Sequence, residues 1–390
     1  MLHLVSKADI KEAERKTEHG KRDSLGTRDF QKDKEKMAVV AERNQHKIPY
    51  TTENGCFDDL TDKNICWWTN GFWGGIMWQL YHASGDELYR KIALEVEEKL
   101  DRNLMMHMGM DHDSGFKWLP TSGAHYRIDG DKASYNRLML ASDNLAGRFN
   151  TAGGFLRAWN DKRDGSRAGW AIIDCMMNLP LLYWASDLTK DPRYGQIARI
   201  HAQTAMKYFI REDGSVNHIV EFHPATGEFI TSHGGQGYGQ GSTWTRGQAW
   251  AIYGFVLSYL YTKEEGYLQS AEKTADYFRE NIPDEGGIPV DFRQPPDCIW
   301  EDSTAAAIAA CGMLELGKIV KSGEKYKETA ISLLRFLADE RCNWSQECDN
   351  ILEKCTAAFS DDKHEYAIIY GDYFFIEAIW KLTGEELFIW

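Results

Sequence analysis

A carboxylate set inside an apolar run is the feature of this chain that most directly suggests chemistry. Asp174 stands in AIIDCMMNLPLL, where burial would disfavour the charged form of the acid, as a proton donor near neutral pH requires. An Asp in such a place also serves as a helix N-cap or accepts local backbone N–H groups, and the run alone does not separate the two uses. Asp113, in MDHDSGFKWLP, sits in an Asp-Ser-Gly context in which Asp is common for turn geometry alone. By itself that motif favours the turn, and Asp111 and Glu301-Asp302 compete for the role of a second carboxylate. Trp67, Trp68, Trp73, Trp118, Trp170, Trp244 and Trp250 stand beside polar loops or helix starts. Aromatic faces stack on the C–H faces of sugars as readily as they pack in cores, so only those next to polar helix starts are candidates for binding.

Other chemistries are disfavoured. The 12 His contain no H-E-x-x-H and the 8 Cys no C-x-x-C, so neither a metal site nor a cofactor is expected. The Gly-rich stretch 232–245 lacks the G-K-[ST] of a phosphate cradle and reads as a loop lining a cavity mouth.

The elements that must position these residues follow from periodicity. A chain of 390 residues that is 43% hydrophobic and 27% charged buries a large core. Its formal charge of −14 argues against nucleic acid or an anionic membrane as partner, and an anionic substrate would need a local positive field. No apolar run approaches the roughly 20 residues of a membrane span. The first 36 residues are charged without a signal-peptide core, and scattered thiols suit a reducing compartment. A soluble, cytoplasmic protein is expected.

Amphipathic segments (86–106, 191–211, 264–281, 323–341) alternate with drier ones rich in small and aromatic residues (69–83, 134–148, 172–187, 246–262, 302–318, 371–382). Breaks such as Ser84-Gly85-Asp86 and Lys190-Asp191-Pro192 separate them. Alternating outer and inner helices predict an all-α (α/α)6 toroid. It would be one catalytic domain over 1–390, with a helix somewhere in 4–45 and 1–25 a loosely attached segment. Two helical domains are the structural alternative. Val216–Phe222 and Glu228–Thr231, flanking Pro224–Gly227, predict a small β-hairpin at one mouth, and Gly154–Trp159 carries a further strand signal.

Six motifs in order, Trp67-Trp68, HDSGF at 112–116, IIDCMMNL at 172–179, GGQGY at 234–238, WTRGQAW at 244–250 and YGDYF at 370–374, resemble the unsaturated glucuronyl hydrolases of glycoside hydrolase family 88 over about 50–385. The resemblance implies an intracellular enzyme that removes the 4,5-unsaturated uronic acid left by polysaccharide lyases at the non-reducing end of glycosaminoglycan oligosaccharides. The chemistry implied is hydration: Asp174 protonates C4 and takes a proton from the water attacking C5, while Asp113 is the second essential carboxylate. It also implies substrate contacts at His218, Gln236, Arg246 and Trp250, with Trp67 stacking on sugar. The planar fork of Arg246 at a helix N-terminus suits a carboxylate, the alternative being an ion pair with Asp302 or Asp372. Near 360–366 the Ser and Lys grouping associated with sulfated substrates is missing, which leaves sulfation preference open. His364 there is expected to face solvent rather than line a distal subsite. Two rival functions remain: a hydrolase of unsaturated galacturonyl-rhamnose fragments from pectin, and a sugar-binding protein without catalysis.

Overall fold

The computed structural model describes residues 26–160, 167–298 and 300–390, so the expectation for 1–25 lies outside the described residues. The chain is mostly helical: α1 (26–43), α2 (Phe72–Ser84), α3 (Glu87–Leu104), α4 (Ser114–Trp118), α5 (Ala124–Asp129), α6 (Lys132–Ala146), α7 (Leu179–Thr189), α8 (Pro192–Tyr208), α9 (Thr245–Thr262), α10 (Glu265–Glu280), α11 (Ser303–Ile319), α12 (Glu324–Glu340) and α13 (Ile369–Thr383).

Two kinds of helix result from two kinds of sequence. In α3, α8, α10 and α12 the buried positions form a stripe at three- and four-residue spacing, such as Tyr89, Ile92, Ala93, Val96 and Leu100 in α3. In α9, α11 and α13 the burial is continuous, from Thr245 to Ser258, Ser303 to Gly317 and Ile369 to Lys381. Four of the dry helices pack on the wet helix that follows them in sequence: α2 on α3, α7 on α8, α9 on α10, α11 on α12. The dry helices also pack on one another, α7 on α9, α9 on α11, α11 on α13 and α13 on α2.

The breaks work as their residues dictate. Gly85 ends α2 in the left-handed conformation at φ 70°, and Asp86 caps α3 by accepting from Leu88 N–H. Lys190 takes the same left-handed position after α7, and Asp191 caps α8 with Pro192 in its first turn.

Two expectations change. The segment 134–148, read as dry, is the amphipathic α6, which buries only a stripe of Ser134, Leu138, Ala141, Ser142 and Leu145. Its inner place is taken by 114–129, where α4, the π-helical turn Leu119–Gly123 and α5 run on, with 114–125 wholly buried. Pro120 in the π turn breaks the regular helix ladder, which is why no 3.6-residue period announces this element. The hairpin is also larger than expected. Ile219–Phe222 and Phe229–His233 pair antiparallel, and Trp170–Ile172 adds a third strand in register Ile172↔Ile219. The strand signal at 154–159 resolves to Phe155–Leu156, paired with Phe149–Asn150.

Candidate active site

The third strand brings Asp174 to the site. Trp170–Ile172 runs directly into a 3-10 turn, Ile173–Met177, whose cap is Ile172 and makes no side-chain bond. The Asp174 side chain therefore neither caps a helix nor holds the local backbone. It is buried, and its Oδ1 has no hydrogen-bond partner. Ile173 N–H donates to the His218 carbonyl at 3.1 Å, which fixes the Asp174 turn to the strand preceded by His218. The His218 ring then lies with Nε2 3.5 Å from Asp174 Oδ1.

The tautomer of His218 follows from its other nitrogen. Nδ1 has two neighbours, the Gln236 backbone N–H at 2.9 Å and the Gly234 carbonyl at 3.3 Å; the shorter contact makes Nδ1 the acceptor, and in that tautomer Nε2 carries the hydrogen that faces Asp174. Gly235, at φ +58°, permits this approach, since a Cβ there would stand 2.1 Å from His218 Nδ1. That is the physical content of the GGQGY loop.

Asp113 arrives from the opposite segment. It precedes α4 without capping it by its side chain; the turn role belongs to Asp111, whose Oδ1 accepts from Asp113 N–H at 3.0 Å. His112 sits with Nδ1 2.8 Å from the Ala158 carbonyl and Nε2 3.1 Å from Asp113 Oδ1. Ala158 N–H in turn donates to the Trp170 carbonyl, so a backbone relay runs from His112 to the strand that delivers Asp174. A second joint is Asn178, which accepts from Phe116 N–H at 2.9 Å and donates to the Asp174 carbonyl at 3.2 Å. Gly115 in HDSGF lets Asn178 approach, because a Cβ there would meet Asn178 Cα and Oδ1 at 2.7 Å.

Both carboxyls line one cavity of about 570 Å³. Its wall also includes Tyr50, Cys66, Trp67, Trp159, Arg167, Trp170, Trp244, Asp361 and Tyr370. Burial, then the charges of Asp111 and Asp174, push the Asp113 carboxyl well above the ordinary carboxylate range. Burial likewise lowers the His112 imidazole, against the pull of Asp111 and Asp174. Asp111, His112 and Asp113 bring ligand-type atoms within 4.8 Å of one another. Nδ1 of His112 is taken by a backbone carbonyl, so Nε2 is the atom that His112 turns to Asp113.

Such a cavity, aromatic-walled with two buried carboxyls of different surroundings, has the composition of a carbohydrate-active centre. Residues 39–282, more than half of the chain, match the model of Glycosyl Hydrolase Family 88. The chain belongs to that family. It is 34% identical over 81% of its length to an unsaturated glucuronyl hydrolase of Bacillus sp. (strain GL1), covering 86% of that protein. It is 32% identical over 83% of its length to an unsaturated chondroitin disaccharide hydrolase of Streptococcus pneumoniae, again covering 83%. Among solved structures, the unsaturated glucuronyl hydrolase of Bacillus sp. GL1 superposes with a TM-score of 0.82 at 32% identity, over 90% of this chain and 96% of that one. A mutant unsaturated glucuronyl hydrolase of Streptococcus agalactiae complexed with dGlcA-GalNAc6S superposes at 0.78 and 26% identity, over 100% of this chain and 95% of that one.

The family 88 fold places the remaining expected residues unequally. Trp67 stands half-exposed on the cavity rim, edge-on to Tyr50 at 5.7 Å. Gln236 lines the cavity, with its side-chain nitrogen already on the Ala357 carbonyl at 2.7 Å. Arg246 also lines it, but its fork is closed on Asp302 and on the Thr356 and Ala357 carbonyls. The ion-pair alternative with Asp302 is thus the arrangement present, while Asp372 accepts from Ile351 and Leu352 N–H instead. Trp250 lies outside the cavity, fully buried between Phe116 and Phe374 at 5.1 and 5.3 Å. It follows Arg246 by four residues on α9, so it shares the inward face one turn deeper. His364 neither faces open solvent nor lines the cavity: it stacks on Trp300 at 3.6 Å and pairs with the Phe359 carbonyl. Glu301 is bound to Arg341, which removes it from the competition.

Sequence reasoning missed Tyr50, Trp159, Arg167 and Asp361 as cavity residues, and missed His112 as a partner of Asp113. Nothing in local spacing marks the first four. For His112 the signal was adjacency to Asp113 inside HDSGF.

Proposed function

We propose that this enzyme removes the 4,5-unsaturated glucuronic acid from the non-reducing end of lyase-generated glycosaminoglycan oligosaccharides by hydrating the C4=C5 enol ether. The acid form of Asp174 gives its proton to C4 as the double-bond pair moves to that carbon, and positive charge develops at C5 and the ring oxygen. Water adds to C5 and returns a proton to Asp174, and the resulting hemiketal opens and releases the sugar that follows. While Asp174 is a carboxylate, the Nε2–H of His218 faces it. Asp113 is the second carboxyl at the reacting ring, Trp67 and Gln236 stand at the substrate, and Arg246 gives the wall a fixed cation. Because the bond opens by hydration, the carboxylate-separation rule for displacement at the anomeric carbon does not apply.

The observation that carries this reading is the Asp174 side chain: buried, with no local structural duty, at the wall of a cavity shared with Asp113. The experiment is the loss of near-UV absorbance of the enol ether with lyase-generated disaccharides. Chondroitin- or hyaluronan-derived disaccharides turned over, with pectin-derived ones untouched, supports the reading. The reverse preference would replace it with the galacturonyl-rhamnose activity, and binding without turnover would replace it with a sugar-binding role.

We read the architecture as a single-domain (α/α)6 toroid, supported by the dry helices packing in succession and by four of them packing on the wet helix that follows. The eight unpaired thiols fit a cytoplasmic location, which cell fractionation tests. The charge of −14 fits an oligosaccharide partner better than nucleic acid or an anionic membrane.

A further inference from the structure

The cavity poses an electrostatic problem for an anionic sugar. Asp111, Asp113, Asp174 and Asp361 line it against two cations, Arg167 and Arg246, and Arg246 is committed to Asp302. Some of that acidity must be masked before a uronate enters, and the means is visible beside Asp113.

His112 has one hydrogen to place and two neighbours. The Ala158 carbonyl, 2.8 Å from Nδ1, is an acceptor only, so Nδ1 carries the hydrogen and Nε2 presents a lone pair. That lone pair faces Asp113 Oδ1 at 3.1 Å. Two lone pairs held at that distance repel, whereas a hydrogen between them joins them. Trp159 fixes the ring edge-on at 5.8 Å, and the Ala158 carbonyl also accepts the backbone N–H of His112 at 3.1 Å, so the imidazole cannot turn away. We propose that His112 is a positioning residue whose Nε2 accepts a hydrogen bond from the carboxylic acid of Asp113, so that Asp113 meets the substrate as a neutral acid with its second oxygen left to accept from a sugar hydroxyl.

The surroundings agree. Asp113 is faced by Asp111 and, on the 3-10 turn, by Asp174, whose carboxylate charges oppose its ionisation beside the larger effect of burial, and by the neutral thiol of Cys175. Lys117 and Arg148 favour ionisation but are outweighed by burial. His112 is faced by Asp111, Asp174, Arg148 and, from α8, the buried His201, and burial keeps it neutral. One proton therefore serves the His112–Asp113 pair, and the pair's charge is zero.

The inference rests on the hydrolase reading for its purpose, but its test does not. Infrared difference spectra of the whole protein at neutral pH, wild type against Asp113→Asn, isolate the carbonyl stretch of Asp113 from those of other buried acids such as Asp33 and Asp372. A protonated-carboxyl band lost in the variant is expected; a carboxylate band in its place overturns the proposal, whatever the protein hydrolyses. Two substitutions then separate positioning from packing. His112→Asn keeps a donor for Ala158 but cannot reach Asp113, whereas His112→Gln reaches Asp113 with its amide oxygen. The alkaline limb of the kcat/KM profile should move to lower pH in His112→Asn, by about one unit or tenfold in activity on that limb, and return toward the wild-type position in His112→Gln. Equal, pH-independent losses in both variants would mean that His112 only packs.

Discussion

Replacing Gly115 by Ala should separate the two acids without touching either. The Cβ would stand 2.7 Å from Asn178 Cα, about 0.7 Å short of the 3.4 Å at which ordinary contact begins. Rotating the Asn178 side chain relieves its Oδ1, also at 2.7 Å, but not the backbone contact. Asn178 must therefore move as a unit, and it holds both α4, through Phe116 N–H, and the Asp174 turn, through the Asp174 carbonyl. A misplacement of about 1 Å in a catalytic constellation costs on the order of 100-fold, so a shift near 0.7 Å should lower kcat by roughly 10- to 100-fold, or about 1.4–2.7 kcal/mol. Overpacking should cost about 1–3 kcal/mol of stability, which leaves a folded protein by circular dichroism. Gly239→Ala, where a Cβ meets nothing within 4 Å, is the control. Initial rates of enol-ether absorbance loss for both variants decide the matter. A folded Gly115→Ala protein with wild-type kcat would refute the claim that this joint sets the spacing of the acids.

Asp174→Asn should remove the proton donor and lower kcat by at least about 10²- to 10⁴-fold, with disaccharide binding still measurable by calorimetry; full turnover would eliminate Asp174 as the acid. Arg246→Ala should leave the fully buried Asp302 without its cation, costing about 3–5 kcal/mol in urea unfolding; unchanged stability with only a raised KM would instead make Arg246 a substrate ligand. Asp372 is pushed by burial to about 7 against the backbone N–H bonds it accepts. Its folded value lies above the unfolded one, so its contribution is complete below about pH 4 and is lost as pH rises through 7. The size is on the order of 4 kcal/mol. Unfolding free energies of wild type minus Asp372→Asn should fall over that window, and a flat difference would contradict the shift.

What the sequence made legible were features whose cause is local. Asp86 and Asp191 cap the helices they precede, and the apolar flanks of Asp174 did mark a carboxyl with no backbone duty. What stayed hidden depends on distant chain. The inner run 114–125 is broken by Pro120 and a π turn, so it shows no period to read. Arg246 and Asp302 are 56 residues apart, and a helix start cannot say whether its guanidinium turns to substrate or to protein. The hydrogen of His112 is directed by the carbonyl of Ala158, 46 residues away, which adjacency to Asp113 does not disclose. Trp250 looked like a binding residue because it shares a motif with Arg246, yet one helical turn is enough to put it beneath the cavity floor.

The central claim is that a carboxyl proton is delivered to a carbon atom, and solvent isotope labelling reads this directly. In D2O, with product analysed by NMR before slow exchange beside the new ketone, the account predicts one deuterium at C4, placed on a single face, and formation of that labelled product slowed at least about 100-fold in Asp174→Asn. Product that retains only its original hydrogen at C4, with the double bond intact in the released uronic acid, would mean direct cleavage at the anomeric carbon and would contradict the account.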